Sequence, residues 1–418
     1  MRKLIFNRIN IFVFIICLGF CSGHAYPIDG FVKTGIKRLL YLQRVQSGQI
    51  KGTLPVAGGM LPMDNIHLHL VDHNIHDFPD IDPDLQKDLN KLFPNLHESY
   101  SLALLDYSSS DNLRYAERHS QKGFQPGSVG KLAVLTGLFC ELENIYPYDF
   151  DKRIDLLKNK KVRAGEWAIP NIHTIPIFDP ESDRLTKRLI IQSDVFTLYE
   201  WLDHMLSVSS NGAASVVWRE IMLMREFGSD YPGIQESEAE SYFKKTSKRT
   251  LSDISVDVVN SPLREIGIME DELRLGTFFT RGASNRIPPQ GGSIGTPQGL
   301  AKWMWYLEHG QIIDKESSLE IKKLLYQTDK RIRYAANNKL KDAAVFFKSG
   351  SLYKCKEESG YNCGKYMGNV YNYMNSVSLV EHKTGKKYMV VLMTNVLKKN
   401  SNNDHNALAG WIDEMITK

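Results

Sequence analysis

The chain has 418 residues, 42% hydrophobic and 24% charged, a balance that suits a globular protein with a sizeable core and excludes a disordered or fibrous one. Its formal charge of +4 falls to +1 when the first 25 residues are set aside, because Arg2, Lys3 and Arg8 leave with no acidic residue. So small a charge gives no electrostatic case for nucleic acid as a partner.

In chain order, residues 1–25 read as a signal peptide: a basic start, an apolar run from Ile11 to Phe20, and Gly23-His24-Ala25 as a small-x-small cleavage site. The run is shorter than the roughly twenty apolar residues that span a bilayer. The expectation is therefore a secreted or periplasmic protein cleaved near Ala25, with no stable transmembrane segment afterwards. A lipid anchor on Cys21 is the competing reading, and the bulky Phe20 before it stands against that.

Residues 26–95 form an N-terminal extension without a motif, with a helix expected over Phe31–Gln46 and a short strand over Ile66–Leu70. Its histidines, His67, His69, His73 and His76, lie beside Asp72 and Asp77 and invite a metal reading. Alternation puts His67 and His69 on the open face of the expected strand, and no cysteine or helical H-x-x-x-H pair joins them. No metal and no cofactor is expected.

From residue 96 to 418 the pattern is that of one α+β domain. A hairpin is expected from Tyr100–Ser108 and Leu113–His119 around Ser109-Ser110-Asp111-Asn112. Pro126-Gly127 then breaks the chain, and Ser128 opens a helix with Leu132, Leu135, Leu138 and Phe139 at helical spacing. A helical lobe follows, about residues 140–325, with loops at Ile169–Pro180 and Ser284–Gly295. Strands return at Ala343–Leu352, Tyr373–Glu381 and Lys387–Asn395, before a helix over Asn406–Ile416. A mixed, mostly antiparallel sheet built from both chain ends and flanked by helices follows. Cys355 and Cys363 bracket a polar loop and could pair in an oxidising compartment, whereas Cys140, beside Leu138 and Phe139, reads as a buried thiol.

Ser128-Val129-Gly130-Lys131 has the form S-x-x-K, which on a helix brings the amine over the hydroxyl. A serine needs a base, and a lysine can serve once desolvation and a neighbouring cation lower its pKa. Ser241–Lys244 and Ser351–Lys354 match the same string, but only Ser128 follows a hairpin and opens an apolar helix. The chain here resembles the penicillin-binding proteins and serine β-lactamases, most closely the class A β-lactamase domain. Phe124–Leu132 is similar to that family's nucleophile segment, Ser209-Ser210-Asn211 to its S-x-N loop, Lys348-Ser349-Gly350 to its K-T/S-G strand, and Thr296-Pro297 to a common helix start. Ser110-Asp111-Asn112 and Lys383-Thr384-Gly385 spell two of these motifs literally, but the first precedes the nucleophile and the second has only one strand after it.

The resemblance implies catalytic roles for Ser128, Lys131, Ser209, Asn211 and Lys348, with Ser349, Gly350 and Ser351 binding substrate. Ser128 would attack a carbonyl held by the Ser128 and Ser351 amides, Lys131 would take its proton, and Ser209 would relay a proton to the leaving nitrogen. Asn211 would fix Lys131 and the substrate amide. Lys348 and Ser349 would bind the carboxylate of a β-lactam or a peptidoglycan stem peptide ending in D-Ala-D-Ala. The expected function is an exported serine hydrolase forming an acyl-Ser128 intermediate. The alternative is a non-hydrolysing penicillin-binding or peptidoglycan-sensing module. One departure bears on that choice: no E-x-x-L-N string exists, Arg281–Asn285 has no carboxylate, and only Glu265, Glu270 and Glu272 lie near it in sequence.

Overall fold

The computed structural model describes residues 27–73, 77–329 and 331–418, so the expected signal peptide and His76 lie outside the described residues. Among those described, no helix is long and apolar enough to cross a membrane.

Alternation of apolar residues builds a five-stranded sheet. Strand β1 (Ser101–Asp106) and β2 (Arg114–Arg118) come early, and β3 (Ala344–Lys354), β4 (Tyr371–Glu381) and β5 (Lys387–Asn395) come late. The order is β2-β1-β5-β4-β3, with every pairing antiparallel and Ser101 opposite Met393. Successive side chains leave a strand on opposite faces, and the strands use both. Ala103, Leu105, Phe346, Met389, Val391 and Met393 face one core, while Leu102, Leu104, Phe347, Val390 and Leu392 face another.

The first core lies under the helical lobe. Its centre is α1 (Lys131–Ile145), apolar on nearly every side and buried along almost its whole length, as a helix surrounded by protein must be. Around it stand α2 (Leu198–Leu206), α3 (Asn211–Phe227), α4 (Lys248–Glu265), α5 (Pro297–Glu308) and α6 (Lys315–Tyr326). Gly137 lets α1 meet α4, since a Cβ there would lie 2.3 Å from the Val258 carbonyl oxygen. Thr296 caps α5 by accepting from the Gly299 amide at 2.9 Å, with Pro297 in its first turn, as expected of a Thr-Pro start. The second core is closed by α7 (Asn402–Thr417) and by helix Pro83–Asn90.

The sequence-based expectations fail at several points: the loop expected from Ser284 overlaps helix Arg281–Arg286, and three others lie away from it. The helix over Phe31–Gln46 is two, Gly30–Thr34 and Lys37–Gln46, parted at Gly35 with φ of +73°. The loop expected at Ile169–Pro180 contains strand Ile175–Asp179, paired with Arg184–Arg188. No strand forms at Ile66–Leu70. Its polar groups go instead to the lobe: Lys322 Nζ donates to the His67 carbonyl at 2.6 Å, the Glu308 carboxylate accepts from the His69 amide at 2.9 Å, and the Glu308 carbonyl accepts from the Leu70 amide at 3.1 Å. His69 pairs with Glu381 at 3.2 Å, and the His73 ring meets that of His309.

Candidate active site

Ser128 does not stand on the first α-helical turn. Gly127–Gly130 form a 3-10 turn and α1 begins at Lys131, which still leaves the two side chains on one side. The turn is pressed against β3. A Cβ on Gly350 would lie 2.4 Å from the Pro126 carbonyl oxygen and 3.1 Å from the Ser128 nitrogen, so only glycine fits. Gly127, at φ of +53°, meets the Ser351 backbone in the same way. The Ser128 and Ser351 peptide units are thereby brought side by side.

Lys131 is fully buried. Its Nζ lies 3.0 Å from Ser128 Oγ, 2.6 Å from the Ser209 carbonyl oxygen and 2.8 Å from Asn211 Oδ1. Burial, then the charge of Lys348, pushes its pKa well below the usual lysine range. A neutral amine has two N–H donors and one lone pair. In that form the two carbonyl-type oxygens would take both donors and leave the lone pair facing the Ser128 hydroxyl.

Ser209 sits between the two lysines in the segment linking α2 to α3, at φ of +61°. Its Oγ is 2.7 Å from Lys348 Nζ and 3.4 Å from Lys131 Nζ. Asn211 is held as the first residue of α3 by the Ser210 cap, whose Oγ accepts from the Ala213 amide at 3.1 Å. Lys348 projects from the middle of β3, donates to the Ser349 carbonyl at 3.0 Å, and is brought down to about 7 by burial and by Arg333.

All the expected residues therefore meet at the junction of lobe and sheet. Three of the competing strings stand elsewhere, Ser241 and Lys244 on helix Glu236–Lys245, Ser110–Asn112 in the β1–β2 turn and Lys383–Gly385 in the β4–β5 turn, while Ser351–Lys354 lies on β3, where it opens no helix.

A cavity of about 430 Å³ opens beside Ser209, Lys348 and Ser349. Four of its features carry no sequence signal of their own. Arg333, buried and at φ of +54°, donates to the Gly350 carbonyl at 2.5 Å. Asp329 accepts from Lys187 at 2.8 Å and is the only carboxylate among the described lining residues. His173 is driven to about 3, by burial first and then by Lys131, Lys348 and Lys365. Lys365 and Tyr366 reach the cavity from the β3–β4 connection, where Cys355 and Cys363 are bonded. Behind Lys131, the Phe279 ring lies 5.1 Å from Nζ.

The three glutamates near Arg281–Asn285 do not reach this place. Glu272 pairs with Lys302 at 2.5 Å and Glu270 with Arg274 at 2.7 Å, while Glu265 is exposed in the last turn of α4.

An antiparallel sheet joined to a helical lobe, with a serine and a buried lysine of lowered pKa at the seam, defines a serine hydrolase of the β-lactamase and penicillin-binding type. Residues 84–414 match the Beta-lactamase enzyme family, and the chain belongs to it. Solved structures agree on the fold. PBP-A is 12% identical, covering 82% of this chain and 99% of its own, at a TM-score of 0.51. A class A β-lactamase representative from Bacteroides cellulosilyticus DSM 14838 is 14% identical over 79% of this chain and 96% of its own, at 0.51. The TLA-3 extended-spectrum β-lactamase is 11% identical over 80% and 99%, also at 0.51. No curated protein matches the chain in sequence.

Proposed function

We propose that the protein is an exported enzyme that forms an acyl ester on Ser128 with a β-lactam or a D-Ala-D-Ala-like stem peptide and releases it slowly. The observation that carries the first half is the buried Lys131 amine, whose Nζ stands 3.0 Å from Ser128 Oγ and 2.6 and 2.8 Å from the Ser209 carbonyl oxygen and Asn211 Oδ1. The hydroxyl proton passes to Lys131 as Oγ bonds the substrate carbonyl carbon. The negative oxygen is held by the Ser128 and Ser351 amides, contacts of a kind worth about 3–4 kcal/mol in the transition state. The C–N bond then breaks, and Ser209, within reach of both lysines, hands a proton to the departing nitrogen. Lys348, Ser349 and Arg333 supply charge and a hydroxyl for the substrate carboxylate. A mutant of PBP-A has been solved as an acyl-enzyme complex with penicillin G, a precedent for this intermediate within the fold.

Slow release rests on what surrounds the ester. Hydrolysis needs a water and a base, and a missing base typically costs a hundredfold to ten-thousandfold in rate. The Phe279 ring closes over Lys131, and the one carboxylate among the described cavity-lining residues is bonded to Lys187. A role as a penicillin-binding or peptidoglycan-sensing module is the limiting case of this behaviour. Intact-mass spectrometry after mixing with a penicillin tests both halves. The expected result is a stoichiometric adduct persisting for many minutes, whereas rapid penicillin loss with no adduct would overturn slow release. Intact mass of the protein recovered from the cell envelope or medium tests export, with cleavage near Ala25 expected.

A further inference from the structure

The cavity does not end where one carboxylate would. It is lined by Ser209, Lys348 and Ser349, the residues that the acyl-Ser128 reading sets against the departing nitrogen and the substrate carboxylate, which puts it on the leaving-group side in that reading. Beyond Lys348 and Arg333 it runs on to Lys365, which is exposed and makes no ion pair among the described residues. The lining holds Lys187, Arg333, Lys348 and Lys365 against the single carboxylate of Asp329, already bonded to Lys187. Across from Lys365 stands neutral His173, whose Nδ1 is buried without a hydrogen-bond partner.

The position of Lys365 is built. The Cys355–Cys363 bond closes the loop, Asn369 bridges both backbone groups of Lys356 at 2.8 Å, and the Tyr361 hydroxyl donates to the Met367 carbonyl. Tyr366, at φ of +59°, lays its ring 5.1 Å from the Arg333 guanidinium carbon and 5.1 Å from Lys365 Nζ, so one ring spaces two cations along the wall.

We propose that Lys365, held by the disulfide-closed β3–β4 loop and facing His173, forms a second anion subsite that selects substrates carrying an additional negative charge on the leaving-group side. This rests on the acyl-Ser128 reading for the orientation of the substrate. The substrate class is therefore a dianion: a stem-like peptide whose C-terminal residue has an acidic side chain, or a β-lactam with an acidic substituent beyond its ring carboxylate.

Cefotaxime and ceftriaxone make a matched pair, with the same acyl side chain and ring carboxylate but with a neutral acetoxymethyl group and an ionised triazine, respectively, on the leaving-group side. Their equilibrium binding to Ser128→Ala protein is measured by calorimetry, in that background and with Lys365→Gln or Lys365→Arg added. Ceftriaxone should bind about three- to tenfold more tightly, the advantage should shrink with salt, and Lys365→Gln but not Lys365→Arg should remove most of it. Equal affinities, no measurable ceftriaxone binding at millimolar concentration, or an advantage untouched by Lys365→Gln would each overturn the subsite. Acylation of the unmutated protein by the same pair is followed by mass in parallel. If neither drug leaves an adduct while the Lys365-dependent binding ratio persists, the acyl-enzyme reading fails and the subsite stands.

Discussion

Lys348 is charged below about pH 7 and neutral above it, because burial and the facing Arg333 remove the stability that an ammonium has in water. A lysine's attraction for a carboxylate is present only in its protonated form, so capture of a penicillin should be strongest below about 7 and weaken as the pH rises through it. The second-order rate of acylation between pH 5.5 and 9 should show this descending limb, and Lys348→Arg, which cannot deprotonate in that range, should flatten it. A limb unchanged in Lys348→Arg would assign it to another group. The nucleophile is tested more directly. Ser128→Ala should form no adduct and Ser241→Ala should label normally. Ser351→Ala should still label, since only its backbone is used. Lys131→Ala should slow acylation by about a hundredfold or more.

Among elements, the closest fit is between the Ser128 turn and β3. Gly350→Ala puts a methyl where the Pro126 carbonyl oxygen stands 2.4 Å away, so the turn must withdraw from the strand. Overpacking of this kind costs about 1–3 kcal/mol. The expected outcome is a cooperative but lowered thermal transition with acylation reduced at least tenfold, because the Ser128 and Ser351 amides no longer converge. Lys383→Ala, in the β4–β5 turn, should alter neither measurement.

That contrast also shows what the sequence could reveal. Strand order separated Lys348 from Lys383, since β3 must be followed by two strands, and helical spacing behind Pro126-Gly127 separated Ser128 from Ser241. Ile66–Leu70 misled because its alternation is real but its backbone partners are Lys322 and Glu308, side chains distant in sequence, together with the Glu308 backbone, rather than a strand. Arg333 and Phe279 had no local signal at all. Each reaches the site through tertiary packing, from the 3-10 turn Arg333–Ala336 after α6 and from the stretch before helix Arg281–Arg286.

At the scale of the molecule, a buried charge cluster joins three parts of the chain. Lys322 of α6 lies 2.5 Å from both Glu308 at the end of α5 and Glu381 at the end of β4, and it also holds the His67 carbonyl of the N-terminal extension. Removing one partner from such a cluster leaves uncompensated charge in the interior, typically costing 3–5 kcal/mol. Lys322→Ala should lose about that much in urea unfolding, far more than the exposed Lys339→Ala, whose pairing with Glu414 is at the surface. A loss below about 1 kcal/mol would mean that the extension is only loosely joined to the lobe.

The sheet order has a consequence in time. Ser101 must find Met393, and β5 is the sole link between β1 and the other late strands. At a synthesis rate of about 5–20 residues per second, β1 and β2 wait roughly 15–60 s for their neighbour to be made. Through that interval β1 lacks its β5 partner, the Ser128 turn has no β3 to press against until residues 344–354 are made, and a marginal two-stranded ribbon cannot hold it. Partial chains should therefore leave no penicillin adduct. A chain cut before residue 387 should stay unlabelled however long it is held with a penicillin, which intact mass of the truncated protein checks.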